Sequence, residues 1–427
     1  MDGFFENLRQ SFFMLSAEIV AIGSELLTPF KSDSNSLWLT ARLLELGIKV
    51  KLKTVVGDDV ERLRETLADA MGRSDVVITT GGLGPTDDDV TREAVSRAIG
   101  RELVFHQQLL QELTERFRRW GREMPEINKK QAFVVEGAKI LPNPNGSAVG
   151  MLIDTGGRIL AVLPGPPREM QPMFMEYVKP DLEALSGGVV AKSRVLRVSG
   201  LGESAVDEAI APIYRLYETI ETSILFNRVE IEVHLSALDS DPERADRMLD
   251  ELTRKICERL GDAVFSIDGS TMEEAIGRLL RERKATLATA ESCTGGLISM
   301  RITEVPGSSD YFMQGVVAYS NDAKVQLLGV PESVISTYGA VSGETAEAMA
   351  AGVRSRAATD YAISVTGIAG PSGGTPSKPV GTVYIGCATP FGVKTCHVLL
   401  PGDRELIRWR ASQAALDFLR REFICNK

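Results

Sequence analysis

Histidine is scarce in this chain of 427 residues, which holds three: His106, His234 and His397. His397 sits in the apolar run 393–400 and reads as a strand residue with a satisfied ring, not as a catalytic base. Cysteine is sparse as well. The five present, Cys257, Cys293, Cys387, Cys396 and Cys425, form no CxxC pair and no zinc-ligand spacing, and an odd number fits reduced thiols of a cytoplasmic protein better than a disulfide framework. An excess of positive charge is also missing. With 48 Lys and Arg against 58 Asp and Glu the net charge is −10, which argues against nucleic acid as the main partner, since such proteins concentrate positive charge. No stretch is apolar for long enough to span a membrane. Residues 1–13 carry Asp2, Glu6 and Arg9 and lack both a continuous apolar core and a small-residue cleavage site, so they do not read as a signal peptide. The first recognisable strand begins just after Met14, which marks residues 1–14 as an extension and Met14 as a candidate start.

What is present is a length suited to two or three domains. From Ala17 the pattern alternates: strand 18–22, helix 36–46, strand 49–56, helix 60–71, strand 76–80. This βαβαβ order predicts a doubly wound, mostly parallel sheet whose ligand site lies at the carboxyl ends of its strands. Two loops fall at that edge, 23–35 and Gly81-Gly82-Leu83-Gly84-Pro85-Thr86-Asp87-Asp88-Asp89. The glycines of the second would present backbone N–H groups to phosphate oxygens, and the carboxylates could hold a divalent ion bridging a diphosphate. The same residues also read as a tight turn followed by acidic residues favoured by a helix dipole. Residues 173–268 form a small α/β unit with strands at 193–198 and 229–236 and helices at 205–210 and 242–260. It is acidic and has no GxxG loop, so RNA binding is not expected of it.

The last third is organised around Ala288-Thr289-Ala290-Glu291-Ser292-Cys293-Thr294-Gly295-Gly296. An apolar strand ends there, and helical spacing resumes at Leu297. Ser292 on this turn could attack a carbonyl while N–H groups of Cys293 to Gly296 hold the developing oxyanion. Taken alone, the turn reads first as an ordinary serine cap. A base is offered by Tyr319-Ser320-Asn321-Asp322-Ala323-Lys324, a second strand-to-helix junction. Burial and the positive end of a helix dipole would lower the pKa of Lys324, as a Ser-Lys pair requires. Taken singly, Lys324 also reads as a solvated lysine. The glycine-rich loop 368–374 reads as a phosphate loop or as a turn between strands, and Arg404 and Arg408, at the start of a helix over 403–423, as phosphate contacts or surface arginines.

Glu291-Ser292-Cys293-Thr294-Gly295-Gly296, Tyr319 to Lys324, Gly339-Ala340-Val341-Ser342 and Thr366-Gly367-Ile368-Ala369-Gly370-Pro371-Ser372-Gly373-Gly374 together resemble the nicotinamide-nucleotide amidohydrolase family over residues 269–427. The resemblance implies an α/β amidohydrolase domain that hydrolyses the carboxamide of nicotinamide mononucleotide (NMN) without a metal. It implies Ser292 as nucleophile, Lys324 as base and Tyr319 as an aligning or relaying helper. Thr294, Gly295, Gly296, Gly367, Gly370, Gly373 and Arg404 would then be substrate contacts. Thr79 to Asp88 with Thr91-Arg92-Glu93, continuing through Asn128 to Ala132 and Leu163 to Met170, resembles the molybdopterin-binding-type front domain of the competence/damage-inducible CinA proteins over residues 15–172. That likeness implies cleavage of ADP-ribose with a divalent metal such as magnesium near Asp87 and Asp88, and substrate contacts at Glu25, Asn35 and Gly82. Residues 28–32 and 145–150 depart from the usual pattern, and a domain that only binds a nucleotide or pterin, linked to competence or DNA damage, would keep the same fold. For 173–268 the resemblance is to a KH-like module, and for the whole chain it implies a homodimer.

Overall fold

The computed structural model describes residues 15–186, 190–239 and 241–425, and the expected extension over 1–14 lies outside them. The chain divides into two compact units, Met1–Lys192 with Leu238–Ala245, and Ser193–Ala237 with Asp246–Lys427.

The first unit opens with β1 (Ser16–Ile22), α1 (Ser34–Glu45), β2 (Lys49–Val56), α2 (Val60–Arg73) and β3 (Val76–Thr80), the alternation expected from the sequence. β1 is buried at every position, as a central strand covered on both faces must be. Its residues alternate between two cores. Ile19 packs with Leu39 and Leu43 of α1, and Val20 with Leu63 and Leu67 of α2. Both helices start on an aspartate, Asp33 and Asp59, whose carboxylate accepts a hydrogen bond from a first-turn N–H. The unit continues through α3 (Thr91–Ile99), β4 (Leu103–Phe105), α4 (Gln107–Arg119), β5 (Phe133–Val135), β6 (Lys139–Leu141), β7 (Gly150–Asp154), β8 (Ile159–Leu163), α5 (Pro167–Met173) and α6 (Lys179–Leu185). The main sheet has the order β2-β1-β3-β8-β7-β6. It is parallel as far as β8, while β7 and β6 are antiparallel additions.

Next come β9 (Val190–Val198), α7 (Glu203–Tyr214), β10 (Ile220–Asn227), β11 (Glu230–Asp239), α8 (Pro242–Leu260) and β12 (Val264–Ser266), with the sheet order β10-β11-β9-β12. β10 has no counterpart in the sequence reading. It is an edge strand whose last three residues are exposed, and two of them, Leu225 and Phe226, are apolar, which breaks the apolar/polar alternation by which a half-buried strand is recognised.

The rest of the second unit is α9 (Met272–Arg283), β13 (Leu287–Glu291), α10 (Leu297–Thr303), β14 (Phe312–Val317), α11 (Asn321–Leu328), α12 (Glu332–Tyr338), α13 (Gly343–Ala357), β15 (Tyr361–Gly367), β16 (Thr382–Thr389), β17 (Gly392–Leu399) and α14 (Arg404–Cys425). The sheet order is β14-β13-β15-β16-β17. β13 runs parallel to both neighbours, and β16 and β17 are antiparallel. The carboxyl ends of β14, β13 and β15 therefore meet at one edge, with β13 in the middle. Among the described residues no helix is long and apolar enough to cross a membrane.

Candidate active site at the carboxyl edge of β13

Ser292 is the first residue beyond β13. Its N–H donates to Val365 O of β15 at 2.9 Å, and Ala318 N beyond β14 donates to Glu291 O at 2.9 Å. The strand pairing thus continues one residue past the regular sheet and fixes the serine between its neighbours. On the β14 side, Ser320 caps α11 by accepting from Ala323 N, which places Lys324 in the first turn. Its Nζ lies 3.1 Å from Ser292 Oγ, 3.0 Å from Ala318 O and 3.3 Å from Tyr319 O.

Lys324 is 1 % exposed and Ser292 8 %, and among the described residues no carboxylate pairs with this lysine. Burial pushes its pKa below the ordinary lysine value. A neutral amine has two N–H bonds and one lone pair. With the two carbonyls accepting the N–H bonds, the lone pair is left for the Ser292 hydroxyl, which is the arrangement a general base needs. Cys293, next to Ser292, is 6 % exposed, and burial pushes its thiol up to about 12. It is a packed side chain rather than a competing thiolate.

The turn after Ser292 differs from expectation in one respect. Glu291, with no exposed surface, folds its carboxylate back onto the start of α10. It accepts hydrogen bonds from Gly296 N at 3.0 Å, Ile298 N at 3.0 Å, Ser299 N at 2.8 Å and Ser299 Oγ at 2.7 Å. Gly295 N is bound to Ser292 O. The amides of Gly295 and Gly296 are thus engaged within the protein, and Cys293 and Thr294 are left as the residues of this turn whose N–H makes no hydrogen bond to another described residue. Any oxyanion site on this turn is accordingly narrower than the span 293–296. The other side of the turn is held by Arg408, whose Nη2 donates to Thr294 O at 2.7 Å, while the buried Thr294 Oγ1 has no hydrogen-bond partner.

The rim is formed by the loop after β15. Gly367 closes β15, the buried Gly370 follows, and Gly373 lies in the exposed stretch 371–377 towards β16. A Cβ at Gly370 would come within 2.6 Å of Val380, at a φ of +77. Arg404 donates to Gly370 O at 2.7 Å and to Tyr319 Oη at 3.0 Å, and so joins this loop to the end of β14. Tyr319, the expected helper, meets Lys324 with its main-chain carbonyl, and its phenol, on a side chain 60 % exposed, meets Arg404. The carbonyls of Ala318 and Tyr319, just before α11, both face the lysine.

The first unit carries its own cleft at the carboxyl ends of β1, β2, β3 and β8, about 380 Å³ in volume. Its walls include Gly81 to Gly84, Glu25, Asp58, Asp88, Asp89 and Glu169. A second hollow of about 420 Å³ adjoins it and shares Ile22, Glu25, Gly165 and Pro166. Asn35 lies in the second hollow, donating to Thr80 Oγ1 and Gly165 O, with its Oδ1 buried and unpartnered. Gly82 belongs here for steric reasons: at φ +62, a Cβ would lie 2.2 Å from Thr91 Oγ1. Behind the loop, the buried Arg92 donates to Leu83 O at 2.9 Å, and burial lowers its pKa to about 10.

The expected metal position is partly corrected. Asp88 and Asp89, rather than Asp87, line the cleft. The Asp89 carboxylate already accepts from Gly84 N and from Thr86 N and Oγ1, and among the described residues no group of three ligating side chains converges. This set fits magnesium held by one or two carboxylates with a substrate diphosphate completing its shell, rather than an all-protein cage.

Family models match three stretches of the chain. A CinA C-terminal domain model matches residues 269–423, a probable molybdopterin binding domain model matches 18–184, and a damage-inducible protein CinA KH domain model matches 193–266. A CinA-like protein of Solibacter usitatus is 46 % identical over 407 residues, 95 % of this chain and 98 % of that one. The chain belongs to the CinA family. A CinA-like protein of Koribacter versatilis is 45 % identical over 96 % of this chain and 100 % of its own length. Among solved structures, the competence/damage inducible protein CihA of Agrobacterium tumefaciens is 39 % identical, spans 36 % of this chain and 96 % of that one, and superposes with a TM-score of 0.34.

Two residues of this CinA chain have roles in the site that the sequence reading did not give them. Glu291 is visible as an acid next to the nucleophile candidate, and an acid just before a helix is a capping signal, but its fold-back onto α10 depends on the turn. Arg408 reads from sequence as a phosphate contact, and the structure instead gives it the Thr294 carbonyl.

Proposed function

We propose that this CinA-family chain hydrolyses the carboxamide of NMN to nicotinate mononucleotide and ammonia at Ser292. The observation that carries the reading is Lys324 Nζ, buried without a carboxylate, 3.1 Å from Ser292 Oγ. Neutral Lys324 takes the hydroxyl proton as Oγ attacks the carboxamide carbon, and the amides of Cys293 and Thr294 are the donors nearest in sequence for the oxyanion. The proton held on Lys324 passes to the departing nitrogen, which leaves as ammonia. Water, deprotonated by the same amine, then cleaves the acyl-serine ester and restores Ser292. Arg404 and the loop carrying Gly367, Gly370 and Gly373 supply positive charge and backbone amides for the substrate phosphate. The test is ammonia release from NMN in the presence of a chelator, with Ser292→Ala and Lys324→Ala alongside. Activity in the wild type and its loss in both folded variants support the reading. No ammonia from the wild type ends it.

A second reading concerns the first unit. Its cleft sets the loop Gly81 to Gly84 beside the carboxylates of Asp88 and Asp89, and these carboxylates favour a metal-bridged diphosphate and hence cleavage of ADP-ribose. Bound magnesium would neutralise the diphosphate charge while Gly81 to Gly84 position it. Turnover of ADP-ribose that requires added magnesium supports this, and tight binding without turnover in magnesium favours a binding domain instead.

A further inference from the structure

The middle module reaches the Ser292 site through one helix. At the tip of the β10–β11 hairpin, Asn227 pairs with Glu230, leaving Arg228 and Val229 as the turn. Arg228 has φ +53, a left-handed conformation in which glycine would be relaxed. Its guanidinium lies 4.2 Å from the ring centroid of Trp409 on α14. One helical turn on from Trp409, Gln413 donates to Glu230 Oε2 at 3.2 Å. Both ends of this hairpin turn thus grip the 409/413 face of α14.

The same helix holds the nucleophile turn. Arg408, adjacent to Trp409, binds Thr294 O, and Arg404 binds Gly370 O and Tyr319 Oη. Arg301, on the helix that follows the nucleophile, is 3 % exposed. It donates to Ser412 Oγ at 2.7 Å and Gln413 Oε1 at 2.6 Å, and it also lies 5.3 Å from the Trp409 centroid. Rotation of α14 about its axis would therefore displace Thr294 and α10 together.

Resting on the amidase reading above, we propose that the β10–β11 hairpin is a positioning element of the Ser292 site, with Arg228 and Glu230 setting the rotation of α14 and α14 setting the nucleophile turn. This gives the KH-like module a role that needs no nucleic acid.

The test uses the full chain with Arg228→Gly and Arg228→Lys. Four quantities are measured: kcat and KM for NMN, the rate at which a small fluorophosphonate labels Ser292, and Tm. Arg228→Gly relieves the left-handed backbone while removing the stacking cation, so Tm holds or rises while kcat and the labelling rate fall about threefold to tenfold. KM stays within about twofold, because the hairpin acts on the nucleophile turn and does not touch substrate. Arg228→Lys, which keeps a cation over the ring, recovers most of the loss. Unchanged kcat and labelling in Arg228→Gly overturn the proposal, as does a rise in KM alone. If the wild type releases no ammonia, the amidase reading has failed, and the labelling rates alone decide the role of the hairpin.

Discussion

Two sheets in this molecule present the same topological opportunity and use it differently. At the carboxyl edge of β1, β3 and β8 the loops enclose an open cleft lined by five carboxylates and by Gly81, Gly82 and Gly84. At the carboxyl edge of β14, β13 and β15 the loops press one amine, 1 % exposed, against a serine hydroxyl. Parallel strands bring loop residues together in both cases. What separates the two is solvation. Exposed carboxylates stay charged and suit a cation and its phosphate, whereas a buried amine without a counter-ion is driven towards neutrality and becomes a base. The edge supplies proximity, and burial selects the chemistry.

Substitutions in each site put this contrast at risk. The largest effect is expected at Lys324. Lys324→Met should lower ammonia release on the order of a thousandfold or more, with ADP-ribose cleavage unchanged. It should leave thermal stability equal or higher, since an apolar side chain replaces a buried amine lacking an ion partner. Equal losses of both activities would show misfolding instead. In the other site, Asp88→Ala should reduce magnesium-supported ADP-ribose turnover about tenfold to a hundredfold and leave ammonia release untouched in a chelator. A shared loss would dissolve the distinction between the two sites.

An intermediate effect belongs to Glu291. Glu291→Gln keeps the shape but replaces one acceptor oxygen by a donor facing N–H groups, so about 1–3 kcal/mol of stabilisation of the turn is lost, and kcat should fall roughly tenfold with KM little changed. The smallest effect is in pH dependence. Because burial lowers the folded pKa of Lys324, the unfolded chain binds more protons between that lowered value and about 10.4. Across this window the wild type should gain stability relative to Lys324→Met as pH rises, which urea unfolding at several pH values would register. On the catalytic side, ammonia release should rise with pH through the same lowered pKa. A profile that keeps rising to the ordinary lysine range would mean that the buried amine is not the base.

Much of this is legible in the chain itself. The alternation of apolar segments from β1 to β3 predicts the parallel order, because that signal is local. The pairing of Ser292 with Lys324 comes from resemblance rather than spacing: the residues are 32 apart in sequence, and no periodicity links them. The edge strand β10 is illegible because consecutive apolar residues, Ile224, Leu225 and Phe226, break its alternation.

The elements, the strand-turn-helix junctions at Ser292 and Lys324, and the family follow from the amino-acid order, since each rests on residues adjacent in the chain. What those junctions do is settled by packing. It strips water from Lys324, gives Glu291 and not a substrate the first amides of α10, turns the Tyr319 phenol to Arg404, and joins the Arg228 hairpin to α14. Each of these depends on desolvation and on interactions between segments distant in sequence, which only the packed chain brings within reach.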